Sequence, residues 1–262
     1  LSMLGERLAQ GEDTGSTAAA RLAHWTDVLI TGLFEQIQHA KPESRRTPMA
    51  LVGLGGYGRG QLAPHSDIDL LFLTQNPISD DAAGAVEALL YVLWDAGFKV
   101  GQAVRSMSQC MTEANDDVRT LTSMIENRLI TGDVGLAARL DDKIKQLLRG
   151  GRSRRFTDEK MAERRNRYMQ PGNSRYALEP HVKEGIGGLR DLHTLYWITQ
   201  ARFDGTGAAL LHEQGLLTAG QAERTRTAET VFGAVRFHLH PLTGRGEDRL
   251  NFDLQLDVAK AL

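Results

Sequence analysis

The sequence predicts an α+β protein: a small α/β domain with a short sheet, followed by a mainly helical domain. Three observations carry this. Short apolar runs at residues 49–54 and 68–74, and an alternating segment at 98–104 after Gly97, read as strands bounded by glycine, proline or asparagine. Segments with apolar residues at helical spacing precede and separate them. From residue 106 onward the pattern is helical, and no further run reads as a strand. The boundary is expected at the Gly150-Gly151 break, giving domains at 1–150 and 151–262.

The elements follow in order. Residues 18–40 place Leu22, Trp25, Leu29, Leu33 and Ile37 three or four apart, which predicts an amphipathic helix. Residues 49–54 form the first strand and run into a glycine-rich loop. Residues 68–74, IDLLFLT, are apolar on both faces and predict a buried strand, ended by Asn76-Pro77. A helix over 80–96 stops at Gly97, and FKVGQAV at 98–104 is the third strand. Residues 106–149 and 158–262 read as helices, with turns at Thr131-Gly132-Asp133, Pro171-Gly172 and Gly185 to Gly188.

Composition narrows the function classes. Hydrophobic residues at 41% and charged residues at 24% are ordinary for a globular protein. No apolar run approaches the ~18 residues of a membrane span, and Glu6, Glu12 and Asp13 do not suit a secretory leader. The single cysteine, Cys110, excludes an internal disulfide framework and a cysteine-rich zinc site. We therefore expect a cytoplasmic protein without a membrane partner. A formal charge of −2 offers no general attraction to nucleic acid, and none is expected as a partner. The local run from Arg149 to Arg167 carries eight basic residues against Asp158, Glu159 and Glu163. It reads as a junction leading into a solvated helix face, with a patch that steers an anionic ligand as the alternative.

Residues 50–73, ALVGLGGYGRGQLAPHSDIDLLFL, hold the chemistry. Gly53, Gly55 and Gly58 match the spacing of a dinucleotide-binding turn, but the stretch continues through Gly60 to Pro64, and Leu73 stands where an acidic ribose ligand is needed. A P-loop fails as well, because Arg59 and Gly60 replace its Lys and Ser or Thr. What remains is the glycine turn together with Ser66-Asp67-Ile68-Asp69. A strand repeats its side-chain direction every two residues, so Asp67 and Asp69 share a face with Cα atoms ~6.6 Å apart. Two carboxylates in that arrangement repel each other and suit a hard, oxygen-seeking cation such as Mg2+. Backbone N–H groups at Gly55 and Gly56, free of side chains, can approach a triphosphate closely.

These residues resemble the signature of the DNA polymerase β-like nucleotidyltransferase superfamily, a glycine-glycine turn followed by a paired-carboxylate strand. GGYGRGQLAPHSDIDLLFL is more specifically similar to the bifunctional PII-protein uridylyltransferase and uridylyl-removing family. Two further blocks, LEPHVKEGIGGLRDLHTLYWI at 178–198 and TGRGEDRLNFDLQLDVAKAL at 243–262, resemble the helical segment that follows the transferase core in that family. The resemblance implies transfer of UMP from UTP to a tyrosine of the PII signalling protein, with release of pyrophosphate. By it, Asp67 and Asp69 are the catalytic, metal-binding carboxylates, with Mg2+ or Mn2+ as cofactor. Gly55 and Gly56 match the phosphate-contacting turn, and Ser66 is expected to bond a phosphate oxygen. Arg59 is open between phosphate and an ion pair, and Lys183 and Arg190 are open between nucleotide and packing.

The chain departs from the superfamily pattern at one point. A third carboxylate is common on the strand matching FKVGQAV, whose centre here is Gln102; Asp116, Asp117 and Glu126 are the alternatives, or two carboxylates suffice. No His-Asp dipeptide occurs, so the hydrolase motif of the family is missing and a fragment with transferase chemistry only, without uridylyl removal, is expected. Two other readings stay open: the same chemistry with another nucleotide or acceptor, as in a protein adenylyltransferase, and a catalytically silent nucleotide-binding module.

Overall fold

The computed structural model describes residues 2–40, 42, 48–170, 173–174 and 176–262. Among them are one four-stranded sheet and twelve helices, the α+β class expected. The chain divides into two compact units, one of Arg21–Leu62 and Ser66–Leu147, the other of Leu1–Ala20, Ala63–His65 and Leu148–Leu262. No described helix is long and apolar enough to cross a membrane.

After α1 (Ser2–Ala9), α2 (Gly15–His39) starts earlier than its periodicity suggests. Its buried line runs through Ala23, Thr26, Ile30 and Phe34, while Trp25 and Leu29 stay 39% and 42% exposed. The apolar stripe expected through Trp25 and Leu29 is therefore rotated round the helix. Leu22, Leu33 and Ile37 flank the core.

The sheet holds β1 (Met49–Gly53), β2 (Ile68–Thr74), β3 (Val100–Ser106) and β4 (Arg128–Gly132) in the order β3-β2-β1-β4. Between β1 and β2 lies α3 (Gly55–Gly58), a single helical turn where a loop was expected. β1 is buried throughout and pairs antiparallel with β2, Gly53 opposite Leu70. β2 and β3 are parallel, so the chain must cross over between them, and α4 (Asp80–Asp95) does so. Ser79 caps α4 by accepting from Ala82 N, Asp80 and Asp81 suit its positive end, and Gly97 at φ +82° ends it. Ala82, Val86, Leu89, Leu90 and Leu93 of α4 join Leu51, Leu70 and Phe72 of the sheet in one core. Each of the valine, leucine and phenylalanine side chains contributes ~1.5–3 kcal/mol on burial.

β4 corrects the expectation that no strand follows residue 104. It is a short edge strand, half-buried, pairing antiparallel with β1 across an irregularity at Leu51/Val52. The predicted turn at Thr131-Gly132-Asp133 is its end: Gly132 has φ +96°, and a Cβ there would lie 2.2 Å from Met49 O. α5 (Met107–Asp116), α6 (Val118–Ile125) and α7 (Val134–Leu147) complete this unit.

The other unit is helical: α8 (Gly151–Tyr168), α9 (Leu189–Phe203), α10 (Ala208–Glu213), α11 (Ala219–Thr243) and α12 (Phe252–Ala261). α8 begins at Gly151, so much of the basic run lies inside it. Several of its cations are paired, Arg152 and Arg155 with Glu159, Lys160 with Glu163, and Arg164 and Arg167 with Asp191 of α9. The predicted Pro171-Gly172 turn falls outside the described residues. Val182, Val235, Leu239 and Val258 form a small core. Beside it Asp248 takes Arg236 Nε at 2.6 Å and lies 3.1 Å from His240 Nε2, while His240 Nδ1 meets the Pro64 carbonyl. Burial alone would raise the Asp248 carboxyl; the His240 hydrogen bond and the Arg236 charge outweigh it and hold Asp248 well below the usual carboxylate range. Burial also holds His240 below its ordinary value, despite the Asp248 hydrogen bond.

Candidate active site

Asp67 immediately precedes β2, and Asp69 is the second residue of that strand. Both are exposed, while Ile68 between them is only 2% exposed and sits in the core. Period-two alternation thus turns the two carboxylates to one side, as the sequence suggests.

Two glycines make room for Asp69. Gly101 of β3 stands opposite it in the parallel ladder, and a Cβ at that position would lie 2.4 Å from Asp69 Oδ1. Gly55 has φ +55°, and its Cβ would lie 3.3 Å from Asp69 Oδ2. Leu54 N also donates to Asp69 O at 2.9 Å, so the start of α3 is tied to this residue.

α3 is one turn long: Gly58 N bonds Leu54 O, and Arg59 N bonds Gly55 O. The first N–H groups of a helix have no partner within it, so the amides of Gly55 and Gly56 are available by construction. Gly56 itself is not sterically required, since a Cβ there meets only ordinary contacts at 3.5 and 3.6 Å. Gly58 is: its Cβ would fall 1.7 Å from Glu126 O.

Arg128 grips the other end of α3. Its Nη1 and Nη2 donate to Asp27 Oδ2 and Oδ1 at 2.7 and 3.1 Å, Nη2 also donates to Tyr57 O at 3.0 Å, and Nε donates to Gly58 O at 3.2 Å. The guanidinium carbon lies 5.4 Å from the Tyr57 ring centre. Burial and then Asp27 push the Tyr57 phenol far above its ordinary value, which keeps it neutral.

The remaining candidates separate. Arg59 Nη1 meets Glu126 Oε2 at 2.5 Å, and Glu126 is 7% exposed, so a proposed phosphate ligand and a proposed third carboxylate are paired with each other. Asp117 is the cap of α6, accepting from Arg119 N, Thr120 N and Thr120 Oγ1. The Thr120 hydroxyl, ahead of the backbone amides, holds its carboxyl below the usual range. Asp116 accepts from Asn115 at 3.1 Å on the surface. Ser66 is half-buried next to Asp67. Among the described residues no group of three or more His, Cys, Asp or Glu could hold a metal ion.

Lys183 and Arg190 belong to the helical unit. Glu184 forks Arg190 at 2.8 and 3.1 Å, and Arg190 also lies 5.4 Å from the Trp197 ring centre. Arg190 and its neighbours hold the Glu184 carboxyl low, against a burial effect in the other direction. Burial first, then the Arg236 charge, lowers the Lys183 ammonium. The glycines around them serve packing: a Cβ on Gly185 would lie 2.5 Å from His181 O, and one on Gly188 would lie 2.7 Å from Val182 O.

Comparison with known proteins bears on both halves. A family model described as GlnD PII-uridylyltransferase matches residues 155–262, the region of the second and third blocks. The bifunctional uridylyltransferase/uridylyl-removing enzyme of Novosphingobium aromaticivorans is 40% identical over 260 residues, covering 98% of this chain. The chain is related to the PII uridylyltransferases. The enzyme of the same name from Rhodospirillum rubrum is 40% identical over 257 residues, 97% of this chain, and that of Cereibacter sphaeroides 42% over 238 residues, 89% of it. The match is to a part of these uridylyltransferases: the chain spans 28%, 28% and 26% of their respective lengths. It extends well upstream of residue 155, through the glycine turn and the paired carboxylates.

Of the residues the sequence singles out, Asp69 and Gly55 lie together and Asp67 stands beside them on the same side. Gly101, Asp27 and Arg128 were not singled out. The signal for Gly101 was a glycine inside a predicted strand, which marks close approach by another group.

Proposed function

We propose that this chain catalyses metal-dependent transfer of UMP from UTP to a tyrosine hydroxyl of a PII protein, releasing pyrophosphate, in the cytoplasm. The observation that carries the reading is the pairing of Asp67 and Asp69 across buried Ile68, with the Asp69 carboxylate set against the Gly55 turn. The similarity to uridylyltransferases, and to a family model described as PII-uridylyltransferase, supports the choice of UTP and of a PII acceptor.

The donor set suits a magnesium ion: two carboxylates on one side, in space that Gly101 and Gly55 leave open. Bound there, the ion supplies charge neutralisation at the triphosphate and favours the ionised phenol. Asp67 and Asp69 hold it. The amides of Gly55 and Gly56 donate to phosphate oxygens, and the Ser66 hydroxyl donates to another. The phenolate oxygen, its proton passed to solvent, attacks the α-phosphorus, the bond to the bridging oxygen breaks, and pyrophosphate leaves with those electrons.

The test is incubation of the protein with PII, UTP and magnesium, followed by intact mass of PII. A gain of one UMP per subunit is expected. A gain of AMP when ATP is supplied, and none with UTP, would redirect the reading to an adenylyltransferase. No gain and no UTP-dependent rise in melting temperature would favour a silent module. Release of UMP from modified PII would contradict the proposal that this chain carries transferase chemistry alone.

A further inference from the structure

We propose that Arg128 and Asp27 are a positioning pair that sets the orientation of the phosphate-binding turn; this rests on the reading of Gly55 and Gly56 as that turn. A single helical turn does not stabilise itself, because nucleation fixes several residues for one hydrogen bond. α3 therefore takes its orientation from what grips its ends. At the start the grip is Leu54 N on Asp69 O. At the end, the carbonyls of Tyr57 and Gly58 both go to the one guanidinium of Arg128.

The geometry is specific to arginine. Nε and Nη2 reach the two carbonyls while Nη1 and Nη2 reach both oxygens of Asp27, so the plane of the guanidinium is defined by two separate elements. A lysine ammonium is a point charge and cannot span both. Asp27, on α2, aims and neutralises the cation, and Gly53 of β1 pairs with Arg128 in the sheet, so the clamp is anchored on helix and strand together. A cation at a helix C-terminus is also electrostatically favourable. Arg128 meets the carbonyl end of the turn, the end opposite the free amides. Its effect on a nucleotide passes through the backbone of α3, which makes it a positioning residue.

The experiment compares wild type, Arg128→Lys and Asp27→Asn as full-length proteins. Three quantities are read: amide hydrogen exchange at residues 54–61 without nucleotide, melting temperature, and KM and kcat with UTP. Arg128→Lys is expected to speed exchange at Gly58, Arg59 and Gln61 by roughly tenfold while leaving β1 and β2 protected. KM for UTP should rise by roughly tenfold with kcat nearly unchanged, the signature of lost pre-organisation for binding. Asp27→Asn should shift both in the same direction by less, and it decides the matter if Arg128→Lys does not fold. Unchanged exchange, or a fall in kcat at constant KM, would overturn the proposal. If wild type does not turn over UTP, the proposed function fails, and the exchange comparison still decides whether the pair holds the turn.

Discussion

Asp69 and Gly101 face each other across the parallel ladder of β2 and β3, and the carboxylate occupies the space where any other residue at 101 would place its Cβ. Gly101→Ala should therefore turn the Asp69 carboxylate without disrupting the sheet, because the atom that must move is the end of a short side chain. Misplacement of this kind costs up to ~10² in rate. Stability should change little. Gly84→Ala, in α4 with nothing within 4 Å of the new Cβ, is the control, and it should gain ~0.5–1 kcal/mol with normal turnover. Normal transfer by Gly101→Ala would count against Asp69 as a site residue.

Asp67→Asn and Asp69→Asn each keep shape and remove charge. If the pair holds a cation against the triphosphate, transfer should fall ~10²–10³-fold. The apo melting temperature should hold or rise, because Asn relieves repulsion between the two carboxylates. Near-normal turnover in both variants would remove the proposed site.

Asp117 is expected to act on stability and hardly on transfer. Asp117→Ala removes the acceptor of two α6 amides and should cost ~1 kcal/mol, whereas Asp117→Asn should be nearly neutral at pH 7, since Asn caps about as well. Because its carboxyl is held low in the folded state, its contribution is present above the unfolded value near ~4 and is lost as pH falls through the folded value. Urea titrations at pH 7 and pH 3 separate the variants. A large loss of transfer with intact stability would make Asp117 the missing third carboxylate instead.

Asp248 contributes acid sensitivity to the helical unit. Its folded carboxyl lies far below the unfolded one, so the stability it brings is complete at neutral pH and drains away as pH drops below ~4. Asp248→Asn leaves Arg236 and His240 without their anion and should cost ~3 kcal/mol or more at pH 7. The gap to wild type should narrow on going from pH 5 to pH 2. A gap independent of pH would show that packing, not charge, is what Asp248 supplies.

The parts of this molecule that were legible in sequence are those written in local pattern. β1 and β2 are apolar runs with breakers at their ends, β3 is an alternating segment after Gly97, and α4 has a capping serine before it and a glycine after it. Asp67 and Asp69 were readable because alternation about Ile68 is itself a sequence property. The rest depends on register. Gly101 gains its meaning only when β3 is laid parallel beside β2, and Arg128 only when the half-buried edge strand β4 is paired with β1. The face of α2 was misjudged because Trp25 and Leu29 are apolar by composition, yet the smaller Ala23 and Thr26 let the helix approach the core along another line. Arg59 and Glu126, separately plausible as ligands, cancel through an ion pair 67 residues apart in sequence.

That separation governs the order in which the turn is assembled. Arg128 reaches Tyr57 and Gly58 over 71 and 70 residues, so neither contact can form until the intervening chain has folded back beside β1. Closing a loop of that size costs entropy before any contact repays it. The nucleotide turn should then be absent from the folding transition state, although the strands beside it need not be. Stopped-flow traces with saturating UTP should show unfolding slowed and refolding unchanged, the behaviour of an interaction made only after the barrier.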